Sequence, residues 1–88
     1  MSVDKSSQII TVKFFASIKE IIGKKELSIK IDKNATVADL KKILFEAYPS
    51  LLSQKFYAIF AVNQKVADDS TILTSKSEVA VFPPVSGG

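Results

Sequence analysis

Hydrophobic and polar residues alternate from Ile9 to Ala16, and this period of two predicts a β-strand. One side of the strand is entirely apolar and should face the core; it consists of Ile10, Val12 and Phe14. The other side contains polar residues and should face outward; it consists of Ile9, Thr11, Lys13 and Phe15. The alternation therefore places a large aromatic side chain, Phe15, on the solvent-facing side.

Two later stretches alternate in the same way and predict two more strands. Glu26 to Asp32 forms one of them, and its inward residues should be Leu27, Ile29 and Ile31. Glu78 to Phe82 forms the last strand, with Val79 and Val81 inward and Phe82 outward. A short helical segment, with Ser17 as its N-cap and its end at Ile22, should connect the first two strands.

Apolar residues recur at helical spacing after the second strand, and together they should form one buried stripe. The stripe consists of Val37, Leu40, Ile43, Leu44 and Ala47. Thr36 is a good N-cap, and Asp39 stands at the third helical position, a near-match to a capping box. Pro49 should end this helix after Tyr48.

A β-hairpin is predicted after the helix. β-Branched and aromatic residues from Lys55 to Asn63, among them Phe56, Tyr57 and Phe60, predict the third strand. Asn63-Gln64 should turn the chain into a short fourth strand, Lys65 to Ala67. The polar loop that follows should be held by an apolar plug formed by Ile72 and Leu73.

The element order predicts an α+β roll, a mixed sheet with one main helix packed on one face. The ubiquitin-like β-grasp fold has this order, with its first and last strands as parallel neighbours. We expect a flexible N-terminal extension over residues 1–7, the β-grasp domain over residues 8–82 and an extended functional tail over residues 83–88.

Length and charge narrow the classes of protein. A chain of 88 residues supports one domain with a modest core. No apolar run approaches the roughly 20 residues that span a bilayer, and Met1 to Ser7 lacks the apolar stretch of a signal peptide. We therefore expect a cytoplasmic protein that binds no membrane. The net charge of +3 comes from lysines spread along the chain, without arginine, which argues against nucleic-acid binding.

The chain contains no cysteine and no histidine. It therefore lacks a thiolate nucleophile, the usual general base near neutral pH and the usual zinc ligands. Asp68 and Asp69 are adjacent carboxylates in a loop, which are usually solvated, so we expect no metal site and no bound cofactor. A stand-alone enzyme is the function that these residues support least.

The six residues after the last strand differ from the rest of the chain; they are Pro83, Pro84, Val85, Ser86, Gly87 and Gly88. The prolines lack N–H groups, so they end strand pairing and begin an extended exit. The glycines make the tip slim and conformationally permissive, so that an enzyme could approach the terminal carboxylate closely. The sequence therefore predicts that the tail is the functional segment of the molecule.

Several segments match a known family: Val12 to Ala16, Lys19-Glu20 with Gly23, Thr36-Val37 with Leu40, Ala61 to Asn63, and Glu78 to Gly88. On these residues the chain closely resembles the small subunits of molybdopterin synthase, the sulfur carriers of molybdenum-cofactor biosynthesis. The terminal Phe-Pro-Pro-Val-Ser-Gly-Gly block is the most specific match. One stretch departs from the family, because its acidic glycine-containing turn is replaced by Thr74 to Glu78.

The resemblance implies a role for Gly88. A ubiquitin-activating-like adenylyltransferase would use ATP to adenylate the Gly88 carboxylate, and a sulfur donor would convert it to a thiocarboxylate. The tail would then enter the large subunit, in a heterotetramer of two small and two large subunits, and deliver sulfur to a pyranopterin precursor. This chain would be the non-catalytic, sulfur-donating subunit, because the large subunit would supply the catalytic side chains.

The alternation also predicts a docking surface. If the first and last strands are neighbours, Phe15 and Phe82 share an outward face near the tail, and Val66 extends it. An exposed aromatic pair of this kind suggests partner binding.

Other functions stay open at this point. A sulfur carrier of thiamine synthesis or tRNA thiolation, a ubiquitin-like protein modifier joined through Gly88, and an interaction domain with an inert tail would each fit parts of the sequence.

Overall fold

The computed structural model of the chain describes residues 7–54 and 58–83, without the side chains of residues 52–54. The elements in chain order are β1 (Ser7–Phe14), α1 (Ala16–Ile22), β2 (Glu26–Asp32), α2 (Val37–Ala47), a 3₁₀ helix (Pro49–Gln54), β3 (Ile59–Val62), β4 (Lys65–Val66) and β5 (Glu78–Phe82). Most of the predicted N-terminal extension, Phe56, Tyr57 and the tail from Pro84 to Gly88 lie outside the described residues.

The strands form one five-stranded sheet in the order β2-β1-β5-β3-β4. β1 and β5 run parallel, with Phe14 opposite Val81, while the other neighbours are antiparallel. β1 and β2 pair over their whole length, from Ser7 opposite Asp32 to Lys13 opposite Glu26. This mixed sheet with its parallel first and last strands confirms the predicted β-grasp roll.

The core lies between one face of the sheet and the helices. Its fully buried residues include Ile10, Val12 and Phe14 of β1 and Val79 and Val81 of β5. They pack with the buried side of α2, which consists of Val37, Leu40 and Leu44. Alternation along the strands therefore predicted the inward residues correctly, although Leu27 and Ile29 of edge strand β2 are only half-buried.

α2 begins at the predicted capping box. The Asp39 backbone N–H donates to Thr36 Oγ1 at 3.4 Å, and the Thr36 backbone N–H donates to Asp39 Oδ2 at 2.9 Å. Two backbone donors that the first turn leaves without helical partners are thus satisfied. At the other end Tyr48 is the C-cap and Pro49 begins the 3₁₀ helix, so the predicted end is confirmed.

Thr36→Ala should lower the free energy of unfolding by about 1 kcal/mol, because one N-terminal donor loses its side-chain acceptor. Ser17→Ala is the matched control and should change it by less than about 0.5 kcal/mol, since Ser17 caps nothing. Denaturant unfolding of both variants measures the two values. Equal losses would contradict the assignment of the cap.

The structure corrects several predictions from the sequence. Ser17 is not the N-cap of α1; Phe15 occupies that position and makes no side-chain cap hydrogen bond. Ala47, the last residue of α2, is exposed. Ile72 is 57% exposed, whereas Leu73 is 1% exposed, so only Leu73 fills the core beneath the loop. The 3₁₀ helix, which buries Leu51, was not predicted.

β1 begins two residues earlier than predicted, at Ser7. Gln8 lies on the same inward face of the strand as Ile10, Val12 and Phe14. Gln8 is buried, and its Nε2 donates to the carbonyl oxygens of Leu73 at 3.0 Å and Asp32 at 3.2 Å. A polar side chain is tolerated in the core when its hydrogen bonds are satisfied. Gln8 thus ties the end of β2 and the loop before β5 to β1.

Within the described part of the chain, no helix is long and apolar enough to cross a bilayer.

Candidate functional site

A groove of about 510 Å³ lies on the sheet face opposite α2. It is formed by residues of β1, β3, β4 and β5 and the turns beside them: Lys13, Phe15, Ala61, Gln64, Val66, Glu78, Ala80 and Phe82. All three residues that the sequence predicted for partner binding, Phe15, Phe82 and Val66, line it. We call it the docking groove.

The two phenylalanines form one end of the docking groove. Their ring centroids lie 5.9 Å apart with an interplanar angle of 77°, an edge-to-face arrangement. Phe15 is 46% exposed, and Phe82 is half-buried. The predicted juxtaposition of these rings follows from the parallel β1–β5 pairing, which puts both at the same end of the sheet.

The junction between β1 and α1 holds Phe15 on this face. The Phe15 backbone N–H donates to the Val81 carbonyl at 3.1 Å, and the Phe15 carbonyl accepts from Ile18 N–H at 3.1 Å. Ala16 has a φ of 53°, a left-handed conformation that costs an alanine about 1–2 kcal/mol. This turn lets the chain leave the sheet and bury Ile18 while Phe15 stays outside.

The β3–β4 turn places Val66 at the opposite wall. Asn63 and Gln64 have φ values of 54° and 71°, as in a type I′ hairpin turn, which confirms the predicted tight turn. Asn63 also binds β5, since its Oδ1 accepts from Glu78 N–H at 2.9 Å and its N–H donates to the Glu78 carbonyl at 2.8 Å. Val66 then projects outward with 77% exposure.

The sequence did not single out the floor and the polar end of the docking groove. Ala61 and Ala80 face each other across β3 and β5, and their small side chains leave the space that the groove occupies. Lys13 Nζ lies 3.3 Å from Glu78 Oε2, an exposed ion pair. The outward side of β5 carries a large, a small and a large side chain in turn: Glu78, Ala80 and Phe82. This pattern in the sequence could have predicted a groove at the position of Ala80.

The two adjacent aspartates are engaged with protein groups. Asp68 Oδ1 accepts from Ser70 Oγ at 2.7 Å and Ser70 N–H at 3.0 Å, and Asp69 Oδ1 lies 2.6 Å from Lys41 Nζ. Two hydrogen bonds from Ser70 lower the pKa of Asp68; the bond from the Ser70 side chain has the larger effect, and the bond from its backbone N–H has the smaller. Among the described residues, no group of three or more His, Cys, Asp or Glu side chains could hold a metal ion.

The chain leaves β5 beside the aromatic end of the docking groove. Phe82 is the last residue of β5, and Pro83 is the last described residue, half-buried directly after it. The predicted roles of Pro83, Pro84, Val85, Ser86, Gly87 and Gly88 stay predictions. The geometry adds only that Phe82, two residues before the first residue of the tail outside the described part of the chain, lines the docking groove.

Comparison with known proteins yields relatives that cover nearly the whole chain. The molybdopterin synthase sulfur carrier subunit of Arabidopsis thaliana is 33% identical over 87 residues, which cover 99% of this chain and 91% of that protein. The crystal structure of small archaeal modifier protein 1 from Haloferax volcanii superimposes with a TM-score of 0.79 at 27% identity, covering 89% of this chain and 99% of that one.

A third similar structure is a protein–protein complex of subunits 1 and 2 of the molybdopterin-converting factor from Helicobacter pylori. Its matching chain has a TM-score of 0.68 at 23% identity, with 92% of this chain and 100% of that one covered, and it shows the common fold. The sequence pattern of the ThiS family matches residues 12–88. With this match, and with relatives more than 30% identical over almost its full length, the chain belongs to the ThiS family.

Proposed function

We propose that the chain is the sulfur carrier of molybdopterin synthase, with the Gly88 carboxylate as the group that carries sulfur. The observation that carries this proposal is the position of the docking groove, whose Phe82 immediately precedes the Pro-Pro-Val-Ser-Gly-Gly terminus. Membership of the ThiS family and the 33% identity to the Arabidopsis sulfur carrier subunit support it.

The chemistry requires activation by another protein. A free carboxylate is a poor electrophile, so an adenylyltransferase would first join Gly88 to AMP with release of pyrophosphate from ATP. A sulfur nucleophile then attacks the acyl carbon and displaces AMP, which leaves a thiocarboxylate. This route needs no cysteine on the carrier, which agrees with a chain that has none.

The partner in sulfur delivery is the large subunit of molybdopterin synthase. The Helicobacter pylori complex supports this partner, because there a chain of the same fold is bound to subunit 2 of the converting factor. In the proposed assembly, two small and two large subunits form a heterotetramer. The docking groove binds the large subunit, which supplies the catalytic side chains, and the tail delivers sulfur to a pyranopterin precursor in its active site.

Intact-mass measurement tests the sulfur-carrier proposal. The full chain, incubated with its adenylyltransferase, ATP and sulfide, should gain the mass difference between sulfur and oxygen, and fragmentation should place that gain at Gly88. A chain lacking Gly88 is the control and should show no gain. An unchanged mass with an adenylyltransferase that is active on another carrier would overturn the proposal.

A second function, protein modification, is favoured by the likeness to small archaeal modifier protein 1. In that case the Gly88 carboxylate would form isopeptide bonds with lysines of other proteins. Higher-mass conjugates that disappear when Gly88 is deleted would support this function. Co-purification of the large synthase subunit with this chain would favour the molybdopterin function over a function in thiamine synthesis, tRNA thiolation or protein modification.

A further inference from the structure

The exposed edge of β2 has an unusual order of charges. β2 is an edge strand of the sheet, with β1 on one side only. Its outward-facing side chains are all exposed and follow the order negative, neutral, positive, negative; they are Glu26, Ser28, Lys30 and Asp32. Charges on an edge strand normally prevent pairing with another chain, so their order decides which pairings remain.

The hydrogen-bond phase of the β1–β2 ladder shows which backbone groups face the edge. The Phe14 N–H donates to the Lys25 carbonyl at 2.8 Å. Hydrogen-bonded residues alternate along an antiparallel ladder, so Leu27 and Ile29 also direct their N–H and C=O groups toward β1. The N–H and C=O groups of Glu26 and Ser28 consequently point away from β1. These groups have no strand partner in the sheet, so an added strand can pair with them.

We propose that the β2 edge binds a second copy of this chain, as an antiparallel pair with its two-fold axis at Ser28. In an isologous antiparallel pair the edge-facing backbone groups meet whether the two-fold axis lies at an outward-pointing or an inward-pointing residue of β2, so the charges decide between the registers. Centring on Leu27 would set Lys24 against Lys30 of the second copy, and centring on Ile29 would set Glu26 against its Asp32. Centring on Glu26, Lys30 or Asp32 would place two like charges against each other on the axis. Centring on Ser28 places a small neutral residue on the axis, and it is the one of these registers in which no two like charges lie opposite each other.

The same register matches both faces of the strand. On the outer face Glu26 meets Lys30 of the second copy, which gives two opposite-charge pairs about the axis. Continuing the same register would set Lys24, in the turn before β2, near Asp32 of the second copy. On the inner face Leu27 meets Ile29 of the second copy, and both side chains are half-buried in the monomer. What matters at Lys30 is its charge and its place in the strand, since it also makes an interaction within its own chain.

The proposed pair leaves the docking groove accessible. β2 forms one edge of the sheet and β4 the other, with three strands between them. None of the residues lining the docking groove belongs to β2. The self-association surface is therefore separate from the surface of the proposed sulfur-carrier function, and the two can fail independently.

Sedimentation of the full chain from about 10 µM to about 1 mM tests the proposal, at about 20 mM and about 500 mM salt. We expect the average mass to rise with concentration toward that of a dimer. The rise should be smaller at high salt, because salt screens the proposed charge pairs. Glu26→Lys and Lys30→Glu should each weaken association roughly tenfold, because each puts like charges at two contacts. The double variant Glu26→Lys/Lys30→Glu should restore it. Glu46→Lys and Lys76→Glu, which make the same charge changes at exposed sites elsewhere, should have little effect.

Amide hydrogen exchange gives a second measurement at residue level. The Ser28 amide should become more protected as concentration rises, while the Leu27 amide, already bonded to β1, should not change. A wild-type chain that stays monomeric at about 1 mM would overturn the proposal. Association that the control variants weaken as much as Glu26→Lys, or that the double variant fails to restore, would overturn the assigned edge and register.

Discussion

Replacing Phe14 by alanine is expected to lower the free energy of unfolding by about 3–5 kcal/mol, whereas the same change at the adjacent Phe15 should cost no more than about 1 kcal/mol. Phe14 is 2% exposed and packs in the core, while Phe15 is 46% exposed and its ring contact is with Phe82 on the outer face. The two substitutions delete the same atoms, so the difference isolates burial.

Urea unfolding followed by circular dichroism measures both values. A domain of this size is stabilised by only about 5–15 kcal/mol, so Phe14→Ala should lower the melting temperature by more than about 10 °C. Phe15→Ala should melt within a few degrees of the parent chain. If the two variants lost the same stability, the assignment of the two sheet faces would be wrong.

Phe82→Lys is expected to weaken binding to the large synthase subunit by at least about a hundredfold, and Phe15→Lys by a similar factor. Each change places an ammonium group at the aromatic end of the docking groove, where an apolar partner surface would have to desolvate it. The edge-to-face pair would also be lost. Binding of purified full-length proteins, measured by calorimetry, gives the affinities.

Ile9→Lys is the matched control for these variants. Ile9 is an exposed apolar residue on the outward side of β1, 55% accessible, and it does not line the docking groove. Its replacement should change affinity less than about threefold. All three variants should keep melting temperatures near that of the parent chain; a collapsed transition for Phe82→Lys would assign its side chain to the core. Normal affinity for both phenylalanine variants would place docking elsewhere.

Small and charged residues form the floor and the polar end of the docking groove. Ala61 and Ala80 form its floor, and the Lys13–Glu78 ion pair closes its polar end. An exposed ion pair contributes little to stability, about 0–1 kcal/mol. Because the ion pair and the aromatic pair line the same groove, a partner would contact both an apolar and a charged surface, and such mixed surfaces favour specific recognition.

The sequence by itself determined the faces of the strands and the start of α2. Alternation depends only on neighbouring residues, so it predicted that Val79 and Val81 are buried and that Phe82 lies on the opposite face. The capping box is equally local, since Thr36 and Asp39 are three residues apart. The tail residues Gly87 and Gly88 can likewise be recognised from the sequence alone, because the argument for them uses only their residue type and their place at its end.

Only the tertiary structure decided features that join residues distant in sequence. The distance between Phe15 and Phe82 depends on the parallel pairing of β1 with β5, and the groove floor depends on Ala61 meeting Ala80 across two strands. Burial of Gln8 depends on the Leu73 carbonyl 65 residues away. Exposure of Ile72 and Ala47 was mispredicted for the same reason: periodicity gives the direction of a side chain, but packing decides whether another element covers it.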